Sequence, residues 1–185
     1  MFSIDRRWSL FLDRDGVLNA KRENDYVKRW DEFEFLPGVL AAMQRFSACF
    51  GRIIVVTNQR GVGRGLMSAR ALEDIHERMR REIETHGGRI DRIFHCPDSA
   101  ENDVRGWRKP EVGMALEAKR IFPEIDFGRS IMIGDSISDM AFGRSAGMHT
   151  LWVSTAEPSA EEAPLIDARI ENLSAAEPLF GQGPA

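Results

Sequence analysis

Short apolar runs rich in Ile, Val and Phe recur along the chain, separated by longer stretches in which apolar residues return every three or four positions. The first pattern predicts strands and the second amphipathic helices. Strands are expected at Trp8–Leu12, Ile53–Val56, Ile90–Phe94, Ile131–Ile133 and Thr150–Val153, with Ala168–Ile170 as an added edge. Helices are expected at Gly38–Cys49, Ser68–Thr85, Gly113–Phe122 and Ser138–Ala146, the second opening on Ser68 as N-cap and closing before Gly87-Gly88. Alternating in this order, they predict an α/β fold of three layers, a Rossmann-like parallel sheet with helices on both faces. Residues 1–180 are expected to form one domain, and the closing Gly-Gln-Gly-Pro-Ala at 181–185 to fray.

At 185 residues and 43% apolar content, the chain suits one domain with a sizeable buried core. Its 25 basic and 29 acidic residues give a formal net charge of -4, which offers no basic field for a phosphate backbone, so no nucleic-acid partner is expected. The opening MFSIDRRW puts charges where a secretory signal needs an apolar core, and no apolar run nears the roughly 20 residues that span a bilayer. No membrane partner and a cytoplasmic location are therefore expected. Cys49 and Cys96 are too few for a disulfide framework and suit a reducing compartment as buried thiols.

In open parallel sheets ligands bind beyond the carboxyl ends of the strands, and here those ends are polar. The first strand runs into Asp13-Arg14-Asp15-Gly16 and the second into Thr57-Asn58-Gln59; the third leads to Arg108-Lys109 and the fourth to Gly134-Asp135, with Asp139 beyond. Each piece alone reads equally well as a turn, a strand end, a solvated pair or a helix start. Their order places them on one rim. Residues two apart share a face of a strand, so Asp13 and Asp15 point together at one small volume, where unpaired carboxylates repel. A divalent cation removes that difficulty, and an all-oxygen site with few protein ligands suits Mg2+ on the Asp13 and Asp135 carboxylates, with the Asp15 carbonyl as a further candidate. Such a site suits phosphoryl transfer to a carboxylate. Asp13 would be the nucleophile, Asp15 the acid and base toward leaving alkoxide and incoming water, and Thr57 and Lys109 would hold the equatorial phosphoryl oxygens.

Asp-x-Asp-Gly, a strand-end Thr, Lys-Pro and Gly-Asp-x-x-x-Asp, in that order between residues 13 and 139, resemble the haloacid dehalogenase superfamily of phosphohydrolases. The longer stretches FLDRDGVLN, YVKRWDEFEFLPGV, VVTNQRGVGRG, RKPEVGM and IGDSISDM are more specific. They resemble the D-glycero-D-manno-heptose 1,7-bisphosphate phosphatases and their histidinol-phosphate phosphatase relatives. The resemblance implies removal of a phosphate, the 7-phosphate in the heptose case, through an aspartyl phosphate on Asp13. It also implies acid/base work by Asp15, magnesium at Asp13, Asp15 and Asp135, and phosphate contacts from Thr57, Asn58 and Lys109. Substrate recognition would fall to Gln59, Arg60 and Arg108, with Arg60 replacing a residue usually small in the family. Asp139 reads either as support behind the metal ligands or as a helix-terminal carboxylate.

Many of these relatives carry Cys-x-His and then Cys-x-Cys before Arg-Lys-Pro, a four-ligand zinc clamp. In HCPDSAENDVRGWRKP, residues 95–110, Cys96 remains, Asp98 stands at the histidine place, and Arg105 and Trp107 occupy the cysteine places. One thiolate and one carboxylate do not close a tetrahedral site, so no structural zinc is expected. Instead Trp107 is expected to bury its ring, Pro97 and Pro110 to stiffen the ends, and Asp98 or Asp103 to pair with a neighbouring arginine.

Superfamily members often insert a cap domain, and neither usual insertion point has room for one here. Selectivity is then expected from the loop at 20–36 and its neighbours, with Asn19, Arg22 and Tyr26 facing the rest of the substrate and Arg60 and Arg108 pairing with a distal phosphate. Gly61–Gly65 fits neither nucleotide-loop spacing and is expected to be a turn that frees backbone amides beside the phosphate. A phospho-accepting receiver domain is the alternative of another class, but it would carry its aspartate after the third strand, whereas the acid pair here follows the first. A monomer is expected, since no long apolar surface helix demands a partner.

Overall fold

The structure, a computed structural model, describes residues 1–22, 25–98 and 101–182. A short ribbon pairs β1 (Phe2–Ile4) in parallel with β8 (Phe180–Gln182). Between them β2 (Ser9–Leu12), β3 (Arg52–Asn58), β4 (Arg92–Cys96), β5 (Ser130–Gly134), β6 (His149–Val153) and β7 (Ala168–Ile170) form one parallel sheet in the order β4-β3-β2-β5-β6-β7. The chain winds outward from β2 first to one side and then to the other. A crevice therefore opens where β2 and β5 lie side by side, beyond their carboxyl ends, and it is there that doubly wound sheets bind ligands.

The alternation of side chains along the strands builds the layers. Leu10 sits opposite Ile53 and Ile131, and Leu12 opposite Val55 and Ile133. These residues pack against Met43 and Phe46 of α1 (Val39–Cys49) and Met79 and Ile83 of α3 (Ala69–Thr85). The intervening Phe11, Ile54, Val56 and Met132 face the other way, onto Met114 and Ala118 of α4 (Gly113–Ile121) and Phe142 of α5 (Ile137–Ala146). Each fully buried Leu, Ile or Phe contributes roughly 1.5–3 kcal/mol. The rigid centre of the sheet is thus the platform for whatever stands on its rim.

The predicted elements are present with shifted ends. Ser68 caps α3 by accepting the Ala71 N–H at 3.1 Å. β3 runs on through Thr57 and Asn58, so those residues are held in the ladder and not in a loop. β4 starts at Arg92, later than Ile90, because the Asp91 carboxylate takes the Ile53 N–H at 2.7 Å. The expectation that the chain frays from 181 is corrected: Gly181 and Gln182 pair with Ser3 and Ile4, anchored by Phe180, whose ring lies 5.3 Å from both Phe46 and Phe50. Residues 183–185 of the expected tail lie outside the described residues.

Between β2 and β3 the described residues hold a stacked aromatic group, Trp30 on Phe33 at 5.0 Å with Phe35 at its edge, and α1, with no separate cap domain. Among the described residues no helix is long and apolar enough to cross a membrane.

Candidate active site

Four strand ends meet at a cavity of about 340 Å³ lined by Asp13, Asp15, Thr57, Asn58, Arg108, Lys109, Asp135 and Asp139, with Lys21, Arg22, Tyr26 and Arg60 among the residues that complete its wall. Two glycines make the approach possible. Gly16 has φ +85°, and a Cβ there would stand 2.3 Å from an Asp135 carboxylate oxygen; at Gly134 a Cβ would stand 2.2 Å from the Asp139 Cβ. Gly16 thus lets the Asp135 carboxylate after β5 close on the motif after β2, and Gly134 lets Asp139 fold back over the end of β5.

Lys109 is the buried cation among them. Its Nζ donates to Asp13 Oδ1 at 2.8 Å and to the Val56 carbonyl at 2.7 Å, and lies 2.5 Å from Asp139 Oδ1. Burial alone would pull its pKa down, but Asp13 and Asp139 outweigh burial and raise it, so it stays an ammonium. The backbone of Lys109 is clasped at two points by the Asn58 side chain, whose Oδ1 accepts its N–H at 3.0 Å and whose Nδ2 donates to its carbonyl at 3.1 Å. The phosphate contact implied for Asn58 is corrected in this respect: its side-chain amide is spent on positioning Lys109.

Asp139 is the helix-terminal carboxylate of one of its two readings. Its Oδ2 accepts from the Ser136 N–H at 3.0 Å and hydroxyl at 2.7 Å, capping α5, while Oδ1 faces Lys109. Asp135 is oriented from behind by its own carbonyl, which accepts the Trp152 indole N–H at 3.1 Å.

Asp15 sits in a cage of donors. Arg14 Nη2 donates to both of its oxygens at 2.9 Å, Asn19 Nδ2 to one at 3.0 Å, and Gln59 Nε2 to the other at 2.7 Å. Burial opposes its ionisation, yet Arg14 and the two amides together hold the carboxyl below its ordinary range. Asn19 and Gln59, expected as substrate contacts, are fully buried and turned to Asp15 and away from the cavity, so both are corrected to positioning residues. Gln59 Nε2 also donates to Thr57 Oγ1 at 2.9 Å. That leaves the Thr57 hydroxyl proton to point elsewhere, and Thr57 lines the cavity.

Ligand atoms of Asp13, Asp135 and Asp139 lie within 4.8 Å of one another, a hard, all-oxygen donor set. Burial is the largest influence on Asp13 and pushes its carboxyl up; Lys109 opposes, Asp139 and Asp15 reinforce, and the balance lies at about 7. Asp135 is also raised by burial, against the pull of Lys21, whose ammonium stands 2.7 Å from its Oδ2. Both carboxylates are thus costly to hold ionised in this buried site, a cost that a bound cation would relieve. Magnesium fits this set on Asp13 and Asp135; Asp139 has both oxygens engaged, and the Asp15 carboxylate faces its donors, leaving that residue only its carbonyl to offer.

Tyr26 and Arg60 share the outer wall, the phenol oxygen accepting from Arg60 Nε at 3.2 Å. Gly61–Gly65 is not the expected amide cradle. After the single helical turn α2 (Arg60–Gly63), the N–H groups of Val62, Gly63, Arg64 and Gly65 all go to internal carbonyls, Gly63 bonding to Pro97 at 3.1 Å.

The loop before Lys109 is held by side chains. Trp107 is half-buried edge-on to Phe94 at 5.9 Å, and the Arg105 guanidinium lies 4.2 Å over its ring and 3.6 Å from Asp98. Asp103 Oδ2 accepts the Arg108 N–H at 2.5 Å. Asp98, Asp103 and Cys96 do bring ligand atoms within 4.8 Å, one acid more than the motif comparison supplied. Arg14 and His76, the buried residues behind Asp15, were not expected at all: Arg14 is the variable letter of its motif, and His76 lies on α3, outside every motif.

The comparisons with known proteins agree with this geometry. A family model described as HAD-hydrolase-like matches residues 106–175. The D-glycero-alpha-D-manno-heptose-1,7-bisphosphate 7-phosphatase of Mycobacterium tuberculosis (strain ATCC 25618 / H37Rv) is 42% identical over 134 residues, 72% of this chain and 70% of that protein. The corresponding beta-heptose phosphatase of Rhodopseudomonas palustris is 36% identical, covering 79% of this chain and 83% of that protein. The crystal structure of D,D-heptose 1,7-bisphosphate phosphatase from B. bronchiseptica, complexed with magnesium and phosphate, superposes with a TM-score of 0.79 at 32% identity, covering 93% of this chain and 97% of that one. Relatives this similar over more than two thirds of the sequence, on one shared fold, show that the chain belongs to the haloacid-dehalogenase-like hydrolases, in the family of the heptose 1,7-bisphosphate phosphatases.

Proposed function

We propose that this protein is a magnesium-dependent phosphatase that takes the 7-phosphate of D-glycero-D-manno-heptose 1,7-bisphosphate onto Asp13 and releases it to water. The observation that carries the reading is the buried Asp13–Lys109 contact at 2.8 Å inside a cavity that Asp15, Thr57 and Asp135 also line. Uncatalysed phosphate monoester hydrolysis is slow enough that enzymes accelerate it by up to about 10²¹-fold, so several groups must share the work. Asp13 Oδ attacks phosphorus. Lys109 and the Thr57 hydroxyl hold the equatorial oxygens, where charge is spread in a loose transition state. Asp15, ionised at rest and protonated once the anionic substrate stands beside it, gives that proton to the leaving alkoxide and takes one back from the water that opens the aspartyl phosphate. Magnesium would be held by Asp13, Asp135 and the Asp15 carbonyl, and would supply positive charge that offsets repulsion between the anionic nucleophile and its anionic substrate.

The cations on the outer wall, Lys21, Arg22, Arg60 and Arg108, suit a substrate with a second phosphate. The alternatives are a broader range of sugar phosphates and histidinol phosphate, which would present an amine and an imidazole to that wall. Phosphate release from each heptose bisphosphate anomer and from histidinol phosphate, with and without magnesium, tests the reading; a higher kcat/KM for histidinol phosphate overturns the substrate assignment.

The loop at 96–110 is proposed to work without zinc. Asp98 is paired with Arg105, Asp103 binds the Arg108 N–H, and burial pushes the Cys96 thiol up, away from the thiolate that zinc needs. Stoichiometric zinc in the purified protein overturns this. A cytoplasmic monomer is the proposed form, and sedimentation tests it.

A further inference from the structure

The Arg14 side chain is fully buried, an expensive place for a guanidinium unless each end has a partner. Its Nη2 donates to both oxygens of Asp15, and its Nη1 lies 3.1 Å from His76 Nε2. Arginine has donors only, so the His76 nitrogen must be the acceptor, which requires the neutral ring with its proton on Nδ1. Burial and the Arg14 charge both hold His76 well below its ordinary pKa, in keeping with that tautomer. His76 is itself only 7% exposed and packs on the His95 ring at 5.6 Å, so it has little freedom to move.

A guanidinium is planar. Fixing Nη1 fixes the rotation that decides where Nη2 points. Arg14 Nε has no hydrogen-bond partner among the described residues, so that plane is set from the His76 end. We propose that His76, on α3 at the back of the site, is a positioning residue for catalysis: by accepting from Arg14 it sets the angle at which Asp15 meets the leaving oxygen. The inference rests on the acid/base reading of Asp15.

Asp15 protonates the leaving group, so its orientation matters for an alkyl phosphate, whose alkoxide is a poor leaving group, and hardly at all for p-nitrophenyl phosphate, whose phenolate leaves unaided. A defect in packing alone would slow both. The test compares His76→Phe, which keeps the ring volume without an acceptor, His76→Leu, and His76→Gln, whose side-chain oxygen replaces Nε2. Asp15→Asn serves as reference, and the phosphorylation step is followed in single turnover on the sugar phosphate and on p-nitrophenyl phosphate.

His76→Phe is expected to lose about 10–100-fold on the sugar phosphate, since a misplacement of about 1 Å costs on the order of 10². Its KM and its p-nitrophenyl phosphate rate should stay within about twofold, and His76→Gln should recover most of the loss. His76→Leu is read in the same way if His76→Phe does not fold. Equal slowing on both substrates, or no slowing on either, beside an inactive Asp15→Asn, overturns the inference and leaves the acid/base reading intact. Full sugar-phosphate turnover by Asp15→Asn overturns that reading, and this inference with it.

Discussion

Asp13 Oδ1 and Lys109 Nζ lie 2.8 Å apart, both buried, although 96 residues separate them in the sequence. The pair is assembled by β2 on one side and, on the other, by the Asn58 clasp that brings the Lys109 backbone up to β3. Lys109 also separates two carboxylates, Asp13 and Asp139, that would otherwise repel in a dry site.

Lys109→Ala should therefore have two effects. Loss of one transition-state donor costs on the order of 10²–10³ in kcat. Leaving buried carboxylates without their cation destabilises the fold by about 3–5 kcal/mol. Steady-state kinetics and denaturant unfolding read the two separately; unchanged kcat would remove Lys109 from the phosphoryl site.

Arg60 reaches the outer wall of the cavity, its Nε donating to the Tyr26 phenol oxygen at 3.2 Å. Arg60→Ser should raise KM for the bisphosphate, by up to about 10–100-fold if one charged hydrogen bond worth about 1.5–3 kcal/mol is lost. The corresponding monophosphate should respond far less. Equal changes for both would place Arg60 outside substrate recognition.

The ring of Trp107 bridges Phe94 and Arg105 at the base of the loop that delivers Arg108 and Lys109. Trp107→Ala should cost less than the ~3–5 kcal/mol of a fully buried aromatic, because the ring is half-buried. It should also lower kcat, since Lys109 loses support. Thermal unfolding and turnover should fall together; a loss of neither means the loop is held from elsewhere.

Two histidines give stability a definite pH dependence. His76 and His95 are both held below their ordinary pKa, chiefly by burial, so below about pH 6.5 the unfolded chain binds more protons than the folded one. Stability is then complete above that pH and declines as the medium is acidified, by at most about 1.4 kcal/mol per pH unit for each histidine. Asp15, held low, contributes stability above about pH 3.9 and loses it only in stronger acid. His76→Gln should flatten the slope of unfolding free energy between about pH 6.5 and 5; an unchanged slope contradicts the assigned environment.

Much of the fold was legible because period-two and helical patterns alternate so regularly, and the residues after each strand were polar where a closed sheet end would be apolar. Asp13, Asp15, Thr57, Lys109 and Asp135 met as expected, since strand direction alone carries them to one rim. Asn19, Asn58 and Gln59 are harder, because an amide beside a site reads the same in sequence whether it faces a substrate or a neighbouring side chain. Only burial and donor direction tell the two apart. The β1–β8 ribbon escaped notice for a related reason: three-residue strands at the two ends of the chain carry no periodicity. His76 gave no signal either, as it falls on the buried face of an ordinary amphipathic helix.

The central claim is that Asp13 itself receives the phosphoryl group. Rapid acid quenching during turnover of the bisphosphate, followed by peptide mass spectrometry, tests it directly. Covalent phosphate should be found on the peptide bearing Asp13, formed and lost at least as fast as turnover, and absent from an inactive Asp13→Asn variant. Magnesium-dependent turnover by Asp13→Asn, or covalent phosphate on another residue, would contradict it.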